Sequence, residues 1–307
     1  MPVKSVIFPD YLKKGDLVGI VCPAGFMDGA KVKECVRVLT DVWGYTVKLG
    51  KTVGHQFHYF AGTDEERRDD LQAMLDDAEV KAILCGRGGY GTGRIIDDLN
   101  FKAFKKSPKW IIGFSDITVL HSHVLARYKI ASLHAPMANA FNKGGYKNEY
   151  VGSLREVLKG KKMKYELAPH SFNQQGKGKG ILIGGNLSLL AHLLGSKSDV
   201  NYNGKILFLE DVGEYLYNID RMLRQLKRAG KLQGLSGLVL GGFTDNRDTE
   251  TPFGKNAEQI IREVINGYDF PVCFGFPVSH EKKNVSLKVG GTYELMVSAK
   301  KVTLREC

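Results

Sequence analysis

The chain has 307 residues, of which 43% are hydrophobic and 25% charged, a composition typical of a globular protein with one large or two modest cores. No apolar run approaches the roughly 20 residues that a membrane-spanning helix needs, and the first residues lack the apolar stretch of an export signal, so we expect a cytoplasmic protein with no membrane partner. The 44 Lys and Arg residues exceed the 33 Asp and Glu residues and give a net charge of +11, which favours an anionic partner.

The basic residues do not have the pattern of a nucleic-acid-binding surface. They are spread along the chain, with local clusters only at residues 159–164 and 177–179, and aromatic residues do not alternate with them. We therefore expect no nucleic-acid partner. The positive charge is interpreted as a solvated surface that helps to attract a small anionic substrate.

The cysteines and histidines do not form a metal-binding pattern. The five cysteines are scattered and include no C-x-x-C pair, which argues against a disulfide framework and against a thiolate zinc site. The close histidine pairs are His55 with His58 and His121 with His123, and the second pair is two residues apart on a predicted helix, so its rings diverge. We expect neither a metal nor another cofactor.

The first half of the chain alternates between strand and helix patterns. In chain order these are a strand in LVGIVCP, a helix near residues 30–42, a strand in YTVKLG, a helix in DEERRDDLQAMLDD, a strand in VKAILC, a glycine-rich turn with GRIIDDL, a strand in WIIGF with a helix over residues 116–125, and a strand in IASLHAPM. Such alternation with short connections predicts a parallel sheet covered on both faces by helices. We assign residues 1–148 to this doubly wound domain of the α/β class.

The composition changes near the middle of the chain. Residues 149–179 carry many Lys and Gly residues together with Gln and Pro and show little periodicity, so we predict a linker. Residues 180–307 are assigned to a second, mixed α/β domain, which opens with GILIGGNLSLLAHLLGS and contains strands in KILFLE, LSGLVLGGF and PVCFGF and helices in YNIDRMLRQLKRAG and near residues 256–266. The Gly-Gly pair inside VSLKVGGTYELMV predicts a closing hairpin.

Polar residues follow several predicted strands, where ligands of parallel sheets collect. Ser115 follows WIIGF, His134 follows IASL, Glu210 closes ILFLE and His280 follows FGFPVS. A serine, a histidine and a carboxylate are the groups needed for nucleophilic acyl transfer. Ser115 has two interpretations at this point: it is either the cap of the following helix or a nucleophile on a tight strand-to-helix turn.

The glycine-rich turn GRGGYGTG leaves a second function open. Gly86, Gly88 and Gly91 match G-x-G-x-x-G after a strand, and Asp116 lies at about the right distance to contact a ribose, so a nucleotide-dependent oxidoreductase is an alternative. That fingerprint normally occupies the first strand and turn of a dinucleotide-binding fold, which here reads VCPAGFMDGA. The glycines otherwise serve either a tight turn without a ligand or a close approach of backbone N–H groups to a reacting carbonyl.

Six ordered blocks resemble a known family. They are CGRGGYGTGRIIDDLNF, WIIGFSDITVLH, SLHAPM, LIGGNLSLL, LFLEDVGEYLYNIDRMLRQL and GFPVSHEKKNVSLKVGG, and together they resemble the L,D-carboxypeptidases of the serine peptidase type. This family includes muropeptide-recycling enzymes and microcin-immunity relatives that act on a peptide-nucleotide antibiotic. The resemblance implies an N-terminal parallel-sheet domain that carries the nucleophile and a C-terminal domain with a small barrel-like sheet that carries the acid and the histidine.

The resemblance also implies roles for individual residues. Ser115 in GFSD matches the family's nucleophile, Glu210 in FLEDVGE its carboxylate, and His280 in PVSHEKKN its base. The resemblance departs at Ser279, because many relatives have a glycine directly before the histidine.

The oxyanion donors implied by the resemblance are backbone N–H groups. They belong to Asp116 and to Gly88 or Gly89. Arg87 and Arg94 are candidates for the substrate's terminal carboxylate or, alternatively, partners of local acids, and Arg87 and Tyr90 are assigned to substrate binding.

The activity implied is release of a terminal D-amino acid, commonly D-Ala, from a cell-wall tetrapeptide in peptidoglycan recycling. The partner is then a small peptide or muropeptide, and the family suggests a homodimer. Three alternatives stay open beside this one: the oxidoreductase, a related peptidase acting on peptide-nucleotides, and a non-catalytic binding module of the same fold.

Overall fold

The computed structural model describes residues 5–307, which form thirteen β-strands and nine α-helices. The strands are β1 Leu17–Val21, β2 Thr46–Leu49, β3 Val80–Cys85, β4 Trp110–Gly113, β5 Ser132–His134, β6 Lys164–Leu167, β7 Gly176–Asn186, β8 Ile206–Val212, β9 Gly237–Thr244, β10 Val272–Cys273, β11 Leu287–Val289, β12 Thr292–Val297 and β13 Val302–Glu306. The helices are α1 Lys33–Arg37, α2 Asp64–Asp76, α3 Thr92–Ile95, α4 Lys102–Lys106, α5 Thr118–Tyr128, α6 Glu149–Leu158, α7 Leu187–His192, α8 Leu216–Arg228 and α9 Ala257–Val264.

The chain divides into two compact units. One contains the residues up to Lys161 together with Val285–Lys288, and the other contains Lys162–Asn284 and Val289–Cys307. No helix within residues 5–307 has both the length and the apolar character needed to cross a membrane.

The first unit is built on a six-stranded sheet in the order β11-β5-β4-β3-β1-β2. The four pairings among β1 to β5 are all parallel. Strand β4 is buried along its whole length, which explains why its sequence is an apolar run and does not alternate. The order reverses between β1 and β3, so the loops that follow these two strands border the crevice in which open α/β sheets bind ligands.

Helix α2 is fixed at its beginning by a capping box. The Thr63 hydroxyl accepts a hydrogen bond from the Glu66 N–H at 3.1 Å, and the Glu66 carboxylate accepts one from the Thr63 N–H at 2.7 Å. These two bonds satisfy amide groups that have no partner within the helix.

The end of α2 is held by Lys109, a lysine that is only 1% exposed. Its ammonium donates hydrogen bonds to the carbonyl oxygens of Met74, Leu75 and Asp77 at 3.1, 3.0 and 2.6 Å. A cation at this position satisfies carbonyls left open by the helix and opposes the negative end of the helix dipole.

We predict that Lys109→Met lowers the free energy of unfolding by about 2 kcal/mol, because it leaves buried carbonyls without a donor. Urea denaturation followed by circular dichroism measures the change. Lys106→Met is the matched control, since Lys106 is an exposed lysine of α4. Equal stability of the two variants would contradict the assigned role of Lys109.

The second unit contains a seven-stranded sheet in the order β10-β9-β8-β7-β12-β13-β6. Strands β7 to β10 pair in parallel, whereas β7, β12, β13 and β6 pair antiparallel. The prediction of an α/β protein with a mixed second sheet is therefore confirmed. Its closure into a barrel stays a prediction.

The hairpin predicted around Gly290 and Gly291 is wrong. Strand β11 pairs with β5 in the first sheet, whereas β12 pairs with β7 and β13 in the second. Gly290 has a φ of +95°, so the glycine pair does make a turn, but this turn leads from one sheet to the other. Local sequence shows a turn without showing which sheet each flanking strand joins.

The range 149–179, expected to be a linker, contains regular structure. It includes α6, β6 and the beginning of β7. Helix α6 buries a set of apolar residues at helical spacing: Val151, Leu154, Val157 and Leu158. The lysines that follow this helix give the whole range the composition of a linker, although the helix itself has regularly spaced apolar residues. The two domain boundaries derived from composition stay predictions.

Candidate active site

Ser115 lies directly beyond β4 in an unusual backbone conformation. It begins a 3₁₀ turn, Ser115–Ile117, that leads into α5, and its φ is +63°. A residue with a Cβ rarely adopts this left-handed conformation, which costs about 1 kcal/mol. Neither the 3₁₀ turn nor α5 begins with a side-chain cap bond, so the structure does not support the helix-cap interpretation. Strained residues of this kind cluster at functional sites.

The glycine-rich turn approaches Ser115 closely. A Cβ placed on Gly88 would lie 2.9 Å from the Ser115 Cβ and 3.1 Å from its Oγ, distances too short for any side chain. The turn is also tied to the loop after β1, because the Gly25 N–H donates to the Gly88 carbonyl at 3.0 Å. The next residue, Gly89, has a φ of +102°. The glycines therefore allow backbone to contact the serine side chain.

The Asp116 carboxylate links the serine turn to the end of the glycine-rich turn. It is 1% exposed, and its Oδ2 accepts a hydrogen bond from the Thr92 N–H at 2.8 Å. Burial raises its pKa above the usual range, although its hydrogen bonds oppose that change. A buried and bonded carboxylate is a poor ribose ligand, and α3 has only four residues, so the dinucleotide alternative loses its support.

Glu210 and His280 meet in the second unit. Glu210 lies on β8 and is fully buried, and its Oε2 is 2.7 Å from His280 Nδ1. Burial lowers the pKa of His280, but the hydrogen bond to Glu210 and the negative charges of Glu210, Asp211 and Asp245 together outweigh burial, so the pKa is raised above its usual value. A carboxylate that holds Nδ1–H leaves Nε2 to act as a base.

Two residues beside this pair shape its surroundings. Asp211 accepts hydrogen bonds from the Asn186 side chain at 2.8 Å and from the Ser188 N–H at 2.9 Å, and burial together with the charge of Glu210 raises its pKa to about 7. Ser279 donates a hydrogen bond to the Lys283 carbonyl at 3.1 Å, which links the two ends of the short loop that carries His280. Asp211 is not among the residues predicted from the sequence, although it adjoins Glu210.

The residues predicted to bind the substrate differ in their exposure and in the groups that their side chains already hold. Arg94 is bound to the Asp64 carboxylate by hydrogen bonds of 2.6–2.9 Å. Arg87 is exposed and donates one hydrogen bond, to the Phe26 carbonyl at 2.5 Å. Tyr90 is 53% exposed. Of the two arginines, Arg87 is therefore the one whose guanidinium does not already hold a carboxylate.

His121 and His134 are both buried. His121 is buried between the Gly113 carbonyl and the Ser132 hydroxyl, both 2.9 Å away, and burial lowers its pKa to about 4. His134 is fully buried in β5, with its ring 5.8 Å from that of Phe114. Neither is exposed to bind a substrate.

The structure thus brings the predicted residues together in two groups. The first unit assembles Gly88, Ser115 and Asp116, and the second assembles Glu210 and His280. The first group has the features of a serine nucleophile beside backbone donors, and the second those of a histidine–carboxylate base. Such groups are typical of serine hydrolases.

Comparison with known proteins identifies a family of peptidases. Residues 18–135 match the model of the LD-carboxypeptidase N-terminal domain, and residues 179–295 match that of the LD-carboxypeptidase C-terminal domain. The chain belongs to the LD-carboxypeptidase family and is thereby a hydrolytic peptidase.

Named relatives cover most of the chain. The probable murein peptide carboxypeptidase of Bacillus subtilis is 36% identical, over 92% of this chain and 89% of its own length. The murein tetrapeptide carboxypeptidase of Pseudomonas aeruginosa is 32% identical, over 90% and 91%. The crystal structure of muramoyltetrapeptide carboxypeptidase from Oxalobacter formigenes has a TM-score of 0.86 at 30% identity and covers 94% of this chain and 98% of its own. The chain is therefore a peptidoglycan-related carboxypeptidase.

We predict that Gly88→Ala slows covalent labelling of Ser115 by a fluorophosphonate about a hundredfold, because the added Cβ displaces the turn or the serine by an appreciable fraction of an ångström. Labelling is followed by mass spectrometry of the Ser115 peptide. Gly152→Ala is the control, since a Cβ at that glycine of α6 meets no atom within 4 Å. If both variants label at the wild-type rate, the contact between Gly88 and Ser115 has no part in reactivity.

Proposed function

We propose that the protein is a serine L,D-carboxypeptidase that releases a C-terminal D-amino acid, D-Ala, from cell-wall-derived tetrapeptides. The observation that carries the proposal is Ser115, a serine in a left-handed backbone conformation at a strand-to-helix turn with glycine backbone against its side chain. The bonded pair of Glu210 and His280 supplies the second requirement of the mechanism, a base with a fixed tautomer.

In the proposed mechanism, Ser115 Oγ attacks the carbonyl carbon of the last peptide bond while His280 Nε2 accepts the hydroxyl proton. Glu210 holds the imidazole through Nδ1–H and stabilises its charged form. The backbone N–H groups of Asp116 and of Gly88 or Gly89 stabilise the oxyanion. His280 then gives the proton to the departing amine of the D-amino acid, and water hydrolyses the acyl-enzyme by the same sequence of steps.

The substrate proposal is supported by charge and by the named relatives. Cell-wall tetrapeptides carry several carboxylates, which suits a net charge of +11. We assign Arg87 to the terminal carboxylate of the substrate and Tyr90 to the adjacent peptide, because both are exposed beside Gly88. The resemblance further leads us to propose a cytoplasmic homodimer that acts in peptidoglycan recycling.

We predict that wild-type protein releases D-Ala from an L,D-tetrapeptide and that Ser115→Ala reduces turnover about a thousandfold or more, since the nucleophile is lost. Chromatographic detection of free D-Ala measures turnover, and Ser171→Ala provides an exposed-serine control. A panel of free tetrapeptide, muropeptide and peptide-nucleotide, each also made with a terminal L-residue, tests the substrate class. Undiminished release by Ser115→Ala would exclude the proposed nucleophile.

The raised pKa of His280 predicts the pH dependence. A general base must be neutral, so kcat/KM should rise with pH through an apparent pKa above the usual value of about 6.5. Glu210→Gln removes the charge that favours the imidazolium, so the apparent pKa should fall and turnover should drop about a thousandfold.

Asp245→Asn is the control for this pH profile. Asp245 is exposed and also raises the pKa of His280, but less than Glu210 does. The control should therefore move the profile less than Glu210→Gln. A profile that is the same in wild type and in Glu210→Gln would contradict the roles of both residues.

A further inference from the structure

Arg67 is a buried cation outside the catalytic residues proposed above. It lies in the second turn of α2, and its side chain is 0% exposed, whereas the adjacent Arg68 is partly exposed and pairs with Glu65 and Asp69 at the surface. A fully buried arginine is rare, because removing a guanidinium from water is costly unless acceptors surround it. The hydrogen-bond acceptors of Arg67 therefore indicate the role of its buried charge.

The Arg67 guanidinium joins three loops of the first unit. Nη1 donates to the carbonyl oxygens of Pro23 at 2.6 Å and Gly91 at 3.0 Å, and Nε donates to the Gly62 carbonyl at 3.2 Å. These acceptors lie after β1, β3 and β2, respectively. Nη2 bonds the Asp64 carboxylate, which also holds Arg94. Most of the bonds therefore go to loop backbone at the carboxyl edge of the sheet.

The backbone of the glycine-rich turn is shaped around this cation. Gly91 has a φ of +143°, and a Cβ at that position would lie 2.7 Å from Arg67 Nη1. Only glycine therefore allows the guanidinium to approach the turn so closely. The guanidinium carbon is also 4.8 Å from the centre of the Phe60 ring, which covers it with an aromatic face.

A continuous path of contacts leads from Arg67 to the serine turn. Arg67 bonds the Gly91 carbonyl, and the next residue, Thr92, donates its N–H to Asp116 at 2.8 Å. Asp116 directly follows Ser115 in the chain. Gly88, at the other side of the same turn, contacts the Ser115 side chain. The position of the turn relative to Ser115 is therefore fixed through Gly91 and Thr92.

We propose that Arg67 is a positioning residue, which holds the glycine-rich turn at the distance from Ser115 that oxyanion stabilisation requires. The proposal rests on the proposed function. A positioning residue of this kind acts on the chemical step and hardly on substrate affinity, because the turn must match the developing oxyanion more closely than the bound ground state. A displacement of about 1 Å at such a turn reduces the rate about a hundredfold.

The experiment compares Arg67→Lys with Arg68→Lys, the same change at the adjacent, partly exposed arginine. For Arg67→Lys we expect kcat on the L,D-tetrapeptide to fall ten- to a hundredfold with KM changed less than threefold, because lysine keeps the charge but cannot reach all three carbonyls. Arg68→Lys should stay within twofold of wild type. Thermal unfolding by circular dichroism verifies that both variants are folded at the assay temperature.

Chemical rescue separates positioning from a loss of stability. In Arg67→Ala, added guanidinium chloride at millimolar concentration should restore kcat severalfold by occupying the vacated site, whereas it should not affect Ser115→Ala. If Arg67→Ala does not fold, Asp64→Asn takes its place. It removes the charge that holds the guanidinium against the loop carbonyls and so loosens those bonds, and we then expect a three- to tenfold loss in kcat. A folded Arg67→Lys with wild-type kcat, or Asp64→Asn with wild-type kcat, overturns the proposal.

Labelling of Ser115 by a fluorophosphonate distinguishes this inference from the proposed function. If wild-type protein is labelled at Ser115 but releases no D-Ala, the substrate proposal fails, and a labelling rate at least tenfold lower in Arg67→Lys still supports positioning. If Arg67→Lys is labelled at the wild-type rate, the positioning role fails even where D-Ala is released. If the wild-type serine is not labelled at all, there is no reactive serine to position and the inference is wrong.

Discussion

The close approach between the glycine-rich turn after β3 and the serine turn after β4 is the constraint on which the candidate nucleophile depends. Ser115 adopts a left-handed conformation, and Gly88 presents backbone where any side chain would collide with it. Neither feature is favourable by itself, since a left-handed serine costs about 1 kcal/mol. The bond between Asp116 and Thr92 helps to offset this cost, so the strain is maintained by tertiary contacts.

Two buried cations of the first unit are each satisfied by several carbonyl acceptors. Lys109 bonds three carbonyls at the end of α2, and Arg67 bonds three loop carbonyls beyond its beginning. Helix α2 is therefore tied to its surroundings near both ends, at one end by its own Arg67 and at the other by Lys109, which directly precedes β4. Because a buried cation that lost these acceptors would be very costly, each restricts the loops around it to a narrow range of positions.

How well the sequence predicted a feature depended on how far apart in the chain the interacting residues lie. The strand-to-helix turn at Ser115 was predicted because strand ends are visible in local patterns, whereas Glu210 lies within β8, which continues to Val212 beyond the predicted strand end. The β11 strand was misassigned to a hairpin, because its pairing with β5 involves residues over a hundred positions apart. Arg67 could not be distinguished from Arg68, since both belong to the polar run DEERRDDL and only the fold buries one of them.

Contacts within one unit fix the conformation of each group of candidate residues. The basicity of His280 is set by burial and by Glu210, and the raised pKa of Asp211 limits the negative charge that accumulates beside Glu210 near neutral pH. The geometry at Ser115 is set separately by Gly88 and the bonds around it. Because the residues within each group are in direct contact, the effects of substitutions within one group should be strongly non-additive.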